Sequence, residues 1–125
     1  MKQQFLYPQE IEVFYIIPAV KRELATAFKE QGKKQKDIAK LLHTEEATIS
    51  QYMHNKRGSH IKFPAVFKAE VKKSMAKIHD EISLLKETQY LLKYVRTSGI
   101  LCQAHKQFSP VPNKCHVGLT GCFTE

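Results

Sequence analysis

The chain has 125 residues, enough for one compact domain with at most a small appendage and too few for a catalytic barrel or a two-domain dinucleotide enzyme. Twenty Lys and Arg stand against twelve Asp and Glu, a formal net charge of +8, and the 42% hydrophobic and 26% charged content is that of a folded domain. No apolar run approaches the roughly 20 residues of a membrane span, and the start at Met1-Lys2-Gln3-Gln4-Phe5 lacks the apolar core of a signal peptide.

A cytoplasmic protein with no membrane partner is therefore expected. The excess of positive charge suits a polyanionic partner, although solubility alone also accounts for it.

In chain order, the pattern is helical from Ile11 to Leu92 and changes character after Gly99. Val20, Leu24 and Phe28 recur every four residues and make one apolar stripe. Pro18 suits the first turn of that helix or a kink within a longer one, because it lacks an amide donor. Gly32 supplies the left-handed stop. A short helix is predicted from Gln35 to Leu42, with Ile38, Ala39, Leu41 and Leu42, followed by a tight connection at His43-Thr44-Glu45. A second short helix runs from Glu46 to Met53, with Ile49 and Tyr52 inward. Asn55-Lys56-Arg57-Gly58-Ser59 is turn-like.

Pro64 opens a longer helical region in which Phe67, Val71, Met75, Ile78, Ile82 and Leu85 are spaced three or four apart. Asp80 is placed to cap a fresh helix there, with Leu92 and Val95 extending the stripe. Beyond Ser109, Pro110, Pro112, Gly118 and Gly121 rule out a long helix. The expectation is an all-α fold. Residues 1–62 are expected as one unit around the two short helices, residues 63–99 as a helical region and residues 100–125 as a short irregular tail bearing Cys and His.

Two short helices that cross closely need a small residue at the crossing, which Ala39 supplies, and apolar contacts to hold the second helix, which Ile38, Leu42 and Ile49 supply. The segment from Gln35 to Tyr52 resembles the lambda-repressor/Cro type of helix-turn-helix. With the run Ile16 to Ala25 and Asn55-Lys56-Arg57-Gly58, the chain is similar to a family of small archaeal-type predicted transcriptional regulators with a Cys/His-bearing C-terminus. The resemblance spans Ile11 to Cys122. It departs from the family at the inter-helix turn, where His43 and Thr44 stand for the usual Gly and apolar residue. His43 must then adopt a backbone conformation that Gly takes more readily. The cap position holds Glu45 in place of Ser or Thr, with Thr44 as the cap if the boundary shifts by one.

The resemblance implies that the second helix enters the major groove. Glu46, Ala47, Thr48 and Gln51 would then face base edges: Gln51 bidentate to adenine, Glu46 accepting from cytosine, and Ala47 or Thr48 against a thymine methyl. Gln35, Ser50, His54, Lys56 and Arg57 fall where phosphates are contacted. From Lys29 to Lys62, eight basic side chains face four acidic ones, a local +4. The plainer alternative is a structural three-helix domain with a solvated basic face. The apolar excess between Phe67 and Val95 points to a homodimer, or else merely closes the monomer core.

All three cysteines, Cys102, Cys115 and Cys122, lie in the last quarter of the chain, an odd count that does not make a disulfide framework. With His105 they form a Cys3His set that suits zinc, with His116 as the alternative fourth ligand. An iron–sulfur cluster is the rival, and thiols holding no metal are the third reading. The family carries a further Cys-x-x-Cys on the preceding helix, whereas Gln89-Tyr90-Leu91-Leu92 here has none. Cysteine catalysis by Cys102 or Cys115 beside a histidine needs a formed cleft, which a Pro/Gly-rich tail does not offer, so no enzyme is expected. An antitoxin-like module that binds a protein partner as well as DNA remains the alternative to a transcription regulator.

Overall fold

The computed structural model describes residues 5–109, all of whose regular elements are helical. The first helical run is continuous but not uniform. It begins with α1 (Pro8–Ile11), passes through a π-helical turn (Glu12–Ile16) and continues as α2 (Ile17–Glu30). Pro18 explains the irregularity. It has no N–H to donate, and its ring crowds the carbonyl four residues back. The turn widens just before it, so that the Ile17 N–H reaches the Glu12 carbonyl. Pro18 thus both begins α2 and sits inside a longer helical run. Val20, Leu24 and Phe28 are buried as the periodicity predicts, and Gly32 ends the helix at φ +98°.

Next come α3 (Gln35–Leu41) and α4 (Glu46–Met53), followed by α5 (Ala65–Met75), α6 (Glu81–Thr97) and α7 (Ile100–Phe108). The central helix α2 packs against α5, α4, α3 and α6; α6 also packs against α5 and α7, and α7 closes on α1. One core joins these layers, with Phe28, Phe67, Leu24, Ile38, Ile49 and Leu91 almost wholly buried.

The region after Pro64 differs from the single long stripe. Phe67, Val71, Met75 and Ile78 are buried, but Ile82 is 72% exposed and Leu85 56% exposed. The cause is Asp80. Its carboxylate accepts the Ser83 N–H at 2.8 Å, while the Ser83 hydroxyl accepts the Asp80 N–H at 3.0 Å, a reciprocal cap that starts α6 in a new rotational phase. The face of α6 turned inward is then that of Leu91, Leu92 and Val95.

Residues 100–108, expected as part of an irregular tail, form α7. Gly99, at φ +87°, reverses the chain so tightly that α7 begins at once. Ile100, Leu101 and Ala104 enter the core. The end of α7 holds the N-terminal segment: the Leu6 N–H donates to Ser109 Oγ at 2.9 Å, and His105 Nε2 lies 2.5 Å from the Leu6 carbonyl oxygen. No helix of the described residues is long and apolar enough to cross a membrane.

Candidate nucleic-acid interface

The pair α3–α4 is joined by a tight turn whose backbone is fixed from both sides. The Thr44 N–H donates to the Ala39 carbonyl at 3.0 Å and the His43 N–H to the Lys40 carbonyl at 3.3 Å. His43 takes φ +50°, the left-handed conformation that the missing glycine would have supplied. Ala39 and Ile38 are buried at the crossing, with Leu42 and Ile49 beside them. Glu45 is the residue before α4, and its side chain makes no cap bond. The Gln35 amide nitrogen instead donates to the Glu46 carbonyl at 3.0 Å, tying the start of α3 to the start of α4. Gln35, read from the sequence as a phosphate contact, therefore has a bracing role within the protein.

Along α4, Ile49 and Tyr52 point into the core, which turns the rest of the helix outward. Glu46 and Ala47 are exposed, and Thr48, Ser50 and Gln51 are half-buried. The four residues expected to read bases thus lie on the part of the helix that keeps contact with solvent. His54 folds back over the helix end, where its Nδ1–H donates to the Ser50 carbonyl at 2.8 Å, beside the His54 backbone N–H that the same carbonyl accepts at 3.0 Å. Burial pushes the Tyr52 phenol pKa up, while the Arg57 charge pulls it down.

The turn after α4 is held against α2. Asn55, at φ +58°, ends the helix, with the Lys56 N–H donating to the Gln51 carbonyl at 2.8 Å. Arg22 Nη2 donates to Asn55 Oδ1 at 2.5 Å, and Ser59 Oγ donates to the Asn55 carbonyl at 3.1 Å. Gly58 comes so close to α2 that a β-carbon there would lie 2.5 Å from the Pro18 carbonyl oxygen. Lys56 and Arg57 are consequently displayed, exposed, on a backbone with little freedom. Arg22, Lys21, Phe14 and His60, which also surround this turn, carry no local signal in the sequence. Lys21 and Arg22 figure in the sequence only within the run Ile16 to Ala25, and nothing local signals that Pro18 meets Gly58.

Of the proposed metal ligands, Cys102 and His105 sit one turn apart on α7, Cys102 half-buried. Because the Leu6 carbonyl can only accept, His105 Nε2 is the donor in that bond, and Nδ1 is the ring nitrogen outside it. Cys115, Cys122 and His116 lie outside the described residues. Among the described residues no three His, Cys, Asp or Glu side chains gather as a metal site. Compared with protein-family models, curated proteins and solved structures, the chain matches none.

Proposed function

We propose that the chain is a sequence-specific duplex-DNA-binding regulator of transcription. The observation that carries the reading is α4 itself: its inner residues, Ile49 and Tyr52, anchor it, and its outer residues, Glu46, Ala47 and Gln51, stand beside a braced turn bearing Lys56 and Arg57. A short helix with polar side chains outward, flanked by fixed cations, combines base-edge readers with phosphate contacts. Glu46, Ala47, Thr48 and Gln51 read bases. Ser50, His54, Lys56 and Arg57 contact phosphates.

One such helix spans few base pairs, so the active form is a homodimer on a two-fold operator. Ile82 and Leu85, left exposed by the phase change at Asp80, supply its apolar contact. Cys102 and His105 would be two of the four ligands to a structural zinc, with Cys115 and Cys122 as the others. A histidine that donates one ring N–H to a carbonyl while ligating through the other nitrogen is the usual arrangement at such sites, and the His105–Leu6 bond supports it.

Duplexes selected from a random pool and measured by fluorescence anisotropy test the reading. Gln51→Ala is expected to lose about 1–3 kcal/mol of discrimination between the preferred and unrelated duplexes. Arg57→Ala weakens all duplexes alike. A protein that binds no duplex at low salt would refute the proposal.

A further inference from the structure

A groove of about 360 Å³ opens beside the turn that follows α4, with Lys21, Lys56, Arg57 and His60 around it and Phe14 and Tyr52 as walls. No carboxylate lines it. Some cations elsewhere have carboxylate partners: Arg22 lies 3.6 Å from Glu23, Lys72 3.8 Å from Glu30, and Lys73 3.7 Å from Glu70. Among the described residues, Lys21, Lys56 and Arg57 have no carboxylate within 4.0 Å. Three like charges drawn together without a counterion raise the local positive potential, and an anion seated between them relieves it.

The groove is also rigid. The close approach of Gly58 to Pro18 and the Arg22–Asn55 bond fix its rim. His60 stands edge-on to Tyr15 at 5.9 Å, and Tyr15 stacks on Phe108 at 3.9 Å, so the far wall is braced by α7. Preorganisation of this kind lowers the ordering cost of binding. Phe14 is 56% exposed amid the charges, an apolar wall beside an anion site. A sugar-phosphate unit has this pairing of an anion with an adjoining less polar face. Lys56 and Arg57 follow α4 directly, so the groove is continuous with the face proposed to read bases.

We infer that this groove holds a backbone phosphate of the bound duplex, on the strand flanking the base pairs read by α4. Lys21 contacts the phosphate and Phe14 lies against the neighbouring deoxyribose. The inference rests on the duplex-DNA reading of α4, and it extends the contact surface from the turn onto α2.

Duplex affinity measured by anisotropy on the full chain across a range of KCl concentrations tests it. Each phosphate contact contributes about 0.9 to the slope of log affinity against log salt, or about 3.5-fold in affinity over a fourfold rise in salt. Lys21→Ala is expected to reduce the slope by that amount on preferred and unrelated duplexes alike. Lys21→Arg keeps the slope, and Gln51→Ala changes discrimination but not slope. A Lys21→Ala protein that binds duplex with the wild-type slope overturns the groove assignment and leaves the α4 reading standing. A wild-type chain that binds no duplex overturns both. Inorganic phosphate and deoxyadenosine monophosphate are the small-ligand probes: saturable shifts of the His60 and Phe14 resonances with either, alongside an unchanged Lys21→Ala slope, assign the groove to a free phosphorylated ligand and likewise overturn the inference.

Discussion

Replacing Gly58 by alanine tests the contact that positions the basic turn. The residue has φ +72°, and an added β-carbon would lie 2.5 Å from the Pro18 carbonyl oxygen and 3.0 Å from Arg22 Cβ. The left-handed conformation costs a residue with a β-carbon about 1–2 kcal/mol. The overlap with backbone is not relieved by a rotamer change, so the turn and α2 must separate, at an overpacking cost of about 1–3 kcal/mol. Reduced freedom of the unfolded chain returns about 0.4–1 kcal/mol. The net loss expected is about 1–4.6 kcal/mol. Gly32→Ala is the matched control, because Gly32 has φ +98° with nothing within 4 Å of the added carbon and carries only the conformational part. Urea unfolding followed by far-ultraviolet circular dichroism, with equal m-values, reads the difference. Gly58→Ala should be less stable than Gly32→Ala by about 1–3 kcal/mol. Equal effects would mean that the turn does not rest on α2, and that Lys56 and Arg57 have no fixed position.

The remaining predictions concern the Glu12–Arg96 ion pair, a helix cap, the proposed dimer and the proposed metal site. Glu12→Gln is expected to cost about 2 kcal/mol in urea unfolding, less than the ~3–5 kcal/mol of a fully buried pair, because the Arg96 side chain facing Glu12 at 2.6 Å is 30% exposed; a change under about 0.5 kcal/mol would deny that pair a structural role. The Ser83 backbone hydrogen bond holds the Asp80 carboxyl below the usual carboxylate range, helped by the Ser83 side chain. A depressed folded-state pKa stabilises above the unfolded value, so Asp80→Ala should be less stable than wild type at neutral pH. The gap between them should close as pH falls through Asp80's lowered pKa, and one that is constant with pH would contradict the charged cap. Joint Ile82→Glu and Leu85→Glu substitution should leave the helical content unchanged and convert a dimer to a monomer in sedimentation; a variant that still sediments as a dimer would place the contact elsewhere. Protein purified without oxygen should be colourless with one zinc per chain, reduced in Cys102→Ser, whereas visible absorption from an iron–sulfur cluster would contradict zinc.

Much of the helix pair is legible in the sequence because its signals are local. The i, i+4 recurrence of Val20, Leu24 and Phe28, the small Ala39 between Ile38 and Leu42, and the Asn55-to-Ser59 turn each act over one or two helical turns. His43 in the left-handed conformation follows from the absence of glycine at a turn that has to be tight. The α6 phase was less accessible. Ile82 and Leu85 continue a regular spacing from Phe67, and only the reciprocal Asp80–Ser83 cap breaks it. At α7, Gly99 reads equally as the end of the helical region and as a hinge between two helices, and burial of Leu101 against the rest of the core decides for the hinge.

The sequence by itself determined the all-α class, the position of the short helix pair, its local positive charge and the clustering of cysteines at one end. These depend on periodicity, turn chemistry and composition, which are properties of neighbouring residues. Only the tertiary structure decided that Pro18 meets Gly58, that Arg22 braces Asn55, and that Lys21 and Phe14 share a groove with Lys56 and Arg57. It also set the end of α7 against Leu6, with Phe108 stacked on Tyr15. Those contacts join residues tens of positions apart through the packing of α2 and α7, and side-chain proximity of that kind leaves no periodic trace along the chain.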